Sequence, residues 1–130
     1  MGVRVLVDTH VFLWALLEPE RLSRTAQRLL EDPQTGIVLS TASAWEISTK
    51  HRLGKLNQAV YLIENFDHAV NSLQVEELPI ARAHALKAGA WLVEHRDPFD
   101  RILAAQAALE GLPLITTDPA FKEFSIEIIW

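Results

Sequence analysis

The sequence contains no cysteine, which excludes disulfide bonds and thiolate metal ligands. It also lacks a long apolar run: near the start, the uninterrupted run covers residues 11–17, whereas a membrane span needs about 20 residues. The run is followed by EPERLS and not by the small-residue cleavage site of a signal peptide. We therefore expect a soluble, cytoplasmic protein that has no membrane partner.

Basic residues are few, since 12 Lys and Arg stand against 17 Asp and Glu. The net charge of −5 argues weakly against a general nucleic-acid binder, which is usually basic. It does not exclude an enzyme with a carboxylate cluster, because bound metal ions invert the local field. The length of 130 residues and the hydrophobic content of 49% predict a single domain, residues 1–130, with a substantial core.

The hydrophobic pattern alternates between strands and helices. Strands are predicted at residues 3–7, 36–40, 73–78, 113–117 and 126–129, the third of them at an edge of the sheet. Helices are predicted at residues 9–17, 24–31, 41–53, 57–70, 80–88 and 97–110, with Gly89 and Gly111 as stops. This order predicts an α/β sandwich around a mostly parallel sheet.

Four acidic residues occupy informative places in this pattern. Asp8 and Asp118 directly follow strands, and functional sites collect at the carboxyl ends of parallel strands. Glu46 lies in the first turns of the helix after the second strand and should reach the same edge. Asp100 lies in the first turn of a helix that precedes a strand, so we expect it at the opposite edge. The topology thus supports three acids at one edge better than four.

The same acids have a purely structural interpretation. Asp97 and Asp118 are each followed by proline, which is typical of an N-cap and the first helical residue. Asp8 could also cap a helix, and Asp100 would favour the helix dipole. Each cap is worth about 0.5–2 kcal/mol and needs no function.

Glu46 lies at no helix end, and its structural alternative is a surface ion pair with Lys50. If the acids converge, two carboxylates about 4 Å apart repel by roughly 4 kcal/mol at an effective dielectric near 20. A proton or a hard divalent cation must then compensate the charge. Carboxylates, water and phosphate oxygens are ligands that Mg²⁺ and Mn²⁺ accept.

Four strings, VRVLVDTHVFLWAL, STASAWEISTKHRLGKL, HRDPFDRILAAQA and LPLITTDPAF, occur in that order. Together they resemble a PIN domain, and the closest resemblance is to the VapC-type toxins of bacterial toxin–antitoxin pairs. The resemblance extends to the closing IEIIW and so covers nearly the whole chain. It implies a three-layer α/β sandwich and an endoribonuclease that depends on Mg²⁺ or Mn²⁺.

Carried over by motif, the resemblance assigns catalysis and metal binding to Asp8, Glu46, Asp100 and Asp118. It also implies that the start of the last long helix reaches the site despite the chain order. Asp97 belongs to the DPFDR variant and is interpreted as an N-cap or a supporting residue. We therefore predict that Asp100→Asn abolishes cleavage, whereas Asp97→Asn mainly costs stability.

Other residues are candidates for supporting roles. Hydroxyl groups that could orient the carboxylates, or simply cap helices, belong to Thr9, Ser43 and Thr117. Cations that could contact RNA phosphates, or simply lie on the surface, belong to Lys50, Arg52, Arg96 and Arg101. Related chains often read LP…HHRDPFDR where this one reads WLVEHRDPFDR, so the resemblance does not imply a substrate preference for this chain.

The resemblance implies an RNA substrate, a homodimer and an antitoxin that places a side chain into or over the acidic site. Apolar surface for a partner could come from Trp14, Trp45 and Trp91, although tryptophans are more often interior. A metallophosphoesterase, suggested by the D-x-H and D-x-x-D-R elements, is disfavoured because no Gly-Asn-His motif follows. The main alternative is a catalytically inactive PIN-like module that binds RNA or protein.

Overall fold

Five strands form one parallel sheet in the order β3-β2-β1-β4-β5, in a computed structural model that describes residues 2–130. The strands are β1 (Arg4–Val7), β2 (Gly36–Ser40), β3 (Glu76–Leu78), β4 (Leu114–Ile115) and β5 (Ile128–Ile129). All four neighbouring pairs are parallel. The predicted α/β class is confirmed, with β1 in the centre and β3 at an edge.

Seven α-helices connect and cover the sheet within residues 2–130. They are α1 (Thr9–Leu17), α2 (Arg24–Glu31), α3 (Thr41–Arg52), α4 (Val60–Glu64), α5 (Phe66–Leu73), α6 (Arg82–Ala90) and α7 (Pro98–Glu110). Short 3₁₀ segments lie at Pro19–Arg21, Asn57–Ala59 and Pro119–Phe124. None of the helices in this range is both long and apolar enough to cross a bilayer.

Side chains of β1 alternate between two hydrophobic clusters, one on each face of the sheet. Val5 and Val7 pack with Phe12 of α1, in the cluster that also includes residues of α2 to α5. Leu6 packs with Leu103 of α7, in the cluster that includes the 3₁₀ segment 119–124. Because successive residues of a strand point to opposite faces, one buried strand joins both halves of the core in a helix–sheet–helix sandwich.

Two helix predictions differ from the structure. The predicted helix 57–70 is broken at Asn65, whose backbone is not helical and whose side-chain amide donates to the Tyr61 carbonyl oxygen. Asn competes with the helix in this way because its short side chain bonds nearby backbone groups. The predicted helix 80–88 begins later and runs through Gly89 to Ala90, so Gly89 is not its stop.

The expectation that α7 begins at the opposite edge of the sheet from Asp8 is wrong. A helix that joins two parallel strands returns the chain from the carboxyl edge to the amino edge, so it begins at the carboxyl edge. Asp100, in the first turn of α7, lines the same cavity as Asp8 and Asp118. The connection thus brings the fourth acid to the predicted site without an unusual topology.

Candidate functional site

A cavity of about 440 Å³ at the carboxyl edge of the sheet contains all four predicted acids. It is lined by Asp8, His10, Trp14, Glu46, Lys50, Asp97, Asp100, Thr117 and Asp118. Its volume lies in the range of about 300–1,000 Å³ that is usual for ligand sites. The acids come from four separate segments of the chain, so the fold, and not local sequence, brings them together.

Asp8 lies between β1 and α1 and is only 5% exposed. Its backbone has the extended conformation of an N-cap, but its side chain makes no capping hydrogen bond. Instead, the hydroxyl group of Thr116 donates to Oδ2 of Asp8 at 2.8 Å. Burial raises the pKa of Asp8 above its ordinary value, despite this hydrogen bond. Asp8 therefore occupies the N-cap position of α1, but its side chain does not cap the helix.

Glu46 lies on α3 and is 2% exposed. Nζ of Lys50 donates a hydrogen bond to one carboxylate oxygen, Oε2, and the two groups form an ion pair. The other, Oε1, is buried and has no hydrogen-bond partner among the residues that the structure describes. The predicted pair with Lys50 thus forms, but not on the surface. A buried acceptor without a partner costs about 1–3 kcal/mol, which points to a ligand that the chain alone does not supply.

Asp97 and Asp100 differ in their contacts, although both line the cavity. Oδ1 of Asp97 accepts hydrogen bonds from the backbone N–H groups of Phe99, at 2.9 Å, and Asp100, at 3.4 Å. Oδ2 of Asp100 accepts a hydrogen bond from Nε2 of His95 at 2.8 Å. Asp97 is therefore the N-cap of α7, and Asp100 is held by a side chain from the preceding segment.

Burial raises the pKa of Asp100 to about 7, and the charges of Asp97, Asp8 and Glu46 add to the shift. The hydrogen bond from His95 opposes it. Burial and the neighbouring negative charges therefore disfavour the ionised form of the Asp100 carboxyl group, and a cation in the cavity would favour it.

Asp118 is half-buried and caps the 3₁₀ segment by accepting from the Ala120 N–H at 2.9 Å. Its own N–H donates to the hydroxyl oxygen of Thr116 at 3.1 Å. One hydroxyl group therefore links Asp118 to Asp8. Thr117, predicted for a supporting role, is exposed at the cavity wall instead. Thr116 was missed, although a threonine hydroxyl can accept a hydrogen bond from the backbone N–H two residues on, as in an ST-turn.

The hydroxyl groups of Thr9 and Ser43 do not hydrogen-bond the carboxylates, as one of their two interpretations required. Their hydroxyl groups hydrogen-bond each other at 2.8 Å, and both residues are buried. The bond joins α1 to α3, the helices that carry Thr9 next to Asp8 and Ser43 one turn before Glu46. These two residues therefore position the helices and act on the acids only indirectly.

The predicted RNA-contacting cations occupy very different places. Lys50 alone among the four lines the cavity. Arg52 and Arg96 are exposed and lie outside the residues that line it. Arg101 is placed otherwise than predicted, because its guanidinium group donates to backbone carbonyl groups. The four acceptors are the carbonyl oxygens of Ala88, Trp91, Val93 and His95.

The donor set fits a hard divalent cation. All four acids offer oxygen ligands, Oε1 of Glu46 is buried without a partner, and the carboxyl groups of Asp8 and Asp100 carry raised pKa values. Within residues 2–130, no three acidic or histidine side chains form a ready-made ligand set. Mg²⁺ commonly uses one or two carboxylates and keeps several waters, so this spacing suits an ion that is bound partly through water.

The family model of the PIN domain matches residues 5–127. The chain belongs to the PIN domain family. The match covers all four acids, and it confirms the family resemblance seen in the sequence. No curated protein sequence matches the chain at a significant level.

Solved structures with the same PIN fold include several toxin–antitoxin proteins. VapBC2 from Rickettsia felis, bound to a DNA fragment from its promoter, has a TM-score of 0.65 at 12% identity and covers 98% of this chain and 97% of that chain. VapBC-5 from Mycobacterium tuberculosis has a TM-score of 0.60 at 22% identity, with 97% of each chain covered. VapC20 from M. tuberculosis, a sarcin–ricin loop cleaving toxin, has a TM-score of 0.58 at 18% identity, and the match covers 94% of this chain and 95% of that chain. These likenesses show a shared fold.

Proposed function

We propose that this PIN domain is a Mg²⁺- or Mn²⁺-dependent endoribonuclease and the toxin of a type II toxin–antitoxin pair. The observation that carries the proposal is the meeting of Asp8, Glu46, Asp100 and Asp118 in one cavity. Similar structures support it, since VapC20 is a toxin that cleaves RNA of the sarcin–ricin loop and VapBC-5 belongs to a toxin–antitoxin family. The alternative is an inactive module that binds RNA or protein.

The four acids would hold one or two cations, partly through water. When bound, such a cation lowers the pKa of a water molecule and neutralises the charge that grows on the attacked phosphate. The protein positions the acids for this task. Thr116 joins Asp8 to Asp118, and His95 orients Asp100.

Lys50 supplies a positive charge at the cavity wall and neutralises Glu46 in the absence of other cations. Its ammonium group has three N–H donors, and one of them is available to donate a hydrogen bond to a substrate phosphate. The net charge of −5 makes such a local cation important, because the rest of the molecule does not attract RNA strongly.

The decisive experiment compares the wild-type protein with Asp8→Asn, Glu46→Gln, Asp100→Asn and Asp118→Asn. Asp67→Asn is the matched control, because Asp67 is exposed in α5 and lies outside the residues that line the cavity. We expect cleavage of single-stranded RNA with Mg²⁺ or Mn²⁺ by the wild type and the control. Each cavity variant should lose at least about 100-fold in rate.

Binding of Mg²⁺ should also raise the melting temperature of the wild type and not that of Asp8→Asn, because a ligand that binds only the folded state stabilises it. If neither Mg²⁺ nor Mn²⁺ raises the melting temperature or supports cleavage, the nuclease proposal fails. The inactive binding module would then be the better description. Sequencing of RNA ends after induction of the protein in cells identifies the substrate.

The proposal includes an antitoxin that covers the acidic cavity, and a homodimer. Structures of VapBC proteins with this fold support an antitoxin partner. An antitoxin that co-purifies with this chain should suppress cleavage, and light scattering of the free protein should give the mass of a dimer. A monomeric, uninhibited nuclease would contradict this part of the proposal.

A further inference from the structure

One wall of the acidic cavity is aromatic. Trp14 lies one helical turn after His10 on α1, and both residues line the cavity with the acids. The ring centroids of Trp14 and His10 are 6.3 Å apart, and those of Trp14 and Trp130 are 6.0 Å apart. Trp130 packs against Trp14 but lies outside the residues that line the cavity.

Trp14 is not explained by core packing. It belongs to neither of the two hydrophobic clusters of the sheet, and it is only half-buried. Its indole is nevertheless held in place, because the guanidinium carbon of Arg21 lies 4.6 Å from the ring centroid. Arg21 is itself paired with Glu18 at 3.4 Å. The protein therefore fixes a large flat apolar side chain at the edge of a charged cavity.

We propose that Trp14 stacks on the base of a nucleotide next to the phosphate that is cleaved at the acidic site. The identity of that phosphate rests on the proposed function. A single-stranded RNA nucleotide combines an anionic phosphate with a flat base, and this cavity combines a site for cations with a flat indole. Stacking on an aromatic side chain tolerates every base, because each base has a π-face. The inference therefore assigns a base-binding subsite of broad specificity.

The test measures RNA binding separately from cleavage. All binding measurements use the Asp100→Asn background with Mg²⁺ and a fluorescently labelled single-stranded oligoribonucleotide. Trp14→Leu should weaken binding by about 5- to 150-fold, the range that corresponds to loss of one base–aromatic stack. Trp14→Phe should retain most of the affinity, because it preserves a stacking surface.

Trp45→Leu is the matched control, because Trp45 is 55% exposed and lies outside the residues that line the cavity. It should bind RNA as the background does. Melting temperatures of all variants establish that they are folded. If Trp14→Leu is unstable, Trp14→Phe still tests the proposal, because a large loss of RNA affinity in this folded variant, which keeps a stacking surface, would contradict stacking.

Oligoribonucleotides that lack one base at a time locate the stacked nucleotide. In the background protein, removal of one particular base should weaken binding about as much as Trp14→Leu does. In Trp14→Leu, removal of the same base should have no further effect, since the two changes delete the same contact. This non-additivity distinguishes stacking from a merely structural role of Trp14.

Unchanged RNA affinity in Trp14→Leu, no binding of the oligoribonucleotide, or a base effect that persists in that variant would overturn the subsite. Loss of self-association by Trp14→Leu with unchanged RNA affinity would also overturn the subsite, because Trp14 would then contact protein and not RNA. Failure of the nuclease proposal looks different: the wild type would not cleave RNA, while Trp14-dependent binding would still be measurable in the background protein.

Discussion

Asp97 and Asp100 are three residues apart and make different contacts. Asp97 caps α7, whereas Asp100 bonds His95 and carries a strongly raised pKa. The variant Asp97→Asn is a weak test of the cap, because Asn caps helices about as well as Asp does. The sharper variant is Asp97→Ala, which removes the hydrogen bonds to the Phe99 and Asp100 N–H groups.

We predict that Asp97→Ala lowers the free energy of unfolding by about 0.5–2 kcal/mol, as loss of an N-cap does. Its cleavage rate should fall far less than that of Asp100→Asn. Urea denaturation and RNA cleavage under conditions where both variants are folded check this prediction. A fully stable but inactive Asp97→Ala would show that Asp97 is itself a ligand.

The raised pKa of Asp100 predicts how stability depends on pH. Because the pKa is about 7 in the folded protein against an ordinary 3.8, the folded state keeps a proton that the unfolded state has released. In metal-free protein, the melting temperature should therefore fall as the pH rises from about 4 to about 7, and this contribution should be constant above that range. Asp100→Asn should weaken the fall. An unchanged pH profile in this variant would contradict the prediction.

At the scale of elements, the segment between α6 and α7 is held by Arg101. Residues 91–97 form no helix or strand, and yet His95 in this segment is held within hydrogen-bond distance of Asp100. The guanidinium group of Arg101 satisfies four carbonyl groups in residues 88–95. The planar guanidinium group has five N–H donors and can bind all four carbonyl oxygens, whereas the ammonium group of a lysine cannot match this geometry.

We predict that Arg101→Lys, which keeps the charge, lowers the free energy of unfolding by about 2–4 kcal/mol through loss of charge-assisted hydrogen bonds. Arg96→Gln is the control, since Arg96 is exposed, and it should change stability by no more than about 0.5 kcal/mol. Urea denaturation measures both variants. Equal effects of the two would show that the four hydrogen bonds are not important for stability.

At the scale of the whole molecule, the site lies in an acidic protein. Of the described residues that line the cavity, Lys50 is the sole lysine or arginine; Arg21 contacts the ring of Trp14 but does not line the cavity. Affinity for RNA must then come from few phosphate contacts, from bound cations and from stacking. This differs from an extended basic groove, which neutralises many phosphates.

We therefore predict a weak salt dependence of RNA binding. With two or three phosphate contacts, the slope of log affinity against log salt concentration should be about −2 or shallower. Fluorescence anisotropy of the Asp100→Asn variant, at constant Mg²⁺ and increasing KCl, measures the slope. A slope of about −5 or steeper would show a basic RNA-binding surface that the cavity does not contain.

Much of the site could be predicted because its signals are local. Asp8 and Asp118 follow strands, and Glu46 lies on the helix after a strand, so parallel topology alone brings them to one edge. The placement of Asp100 was wrong from topology and right from the family resemblance. The topological prediction assigned the start of α7 to the wrong edge of the sheet, because a helix that leads into a parallel strand begins at the carboxyl edge.

Other features could not be predicted because their partners are remote in sequence. Thr116 and Asp8 are separated by 108 residues, and only the pairing of β1 with β4 brings them into contact. Likewise, Trp14 is one apolar residue among many in α1 until the fold places it in the cavity.

The sequence by itself determined the α/β class, the family and the four acids, because strand ends, caps and motif order are properties of short segments. The tertiary structure alone decided which side chains support them. It decided the burial of Asp8, Glu46 and Asp100, the linking role of Thr116 and the position of Trp14. Burial and long-range hydrogen bonding set these roles, and both depend on which distant segments the sheet brings together.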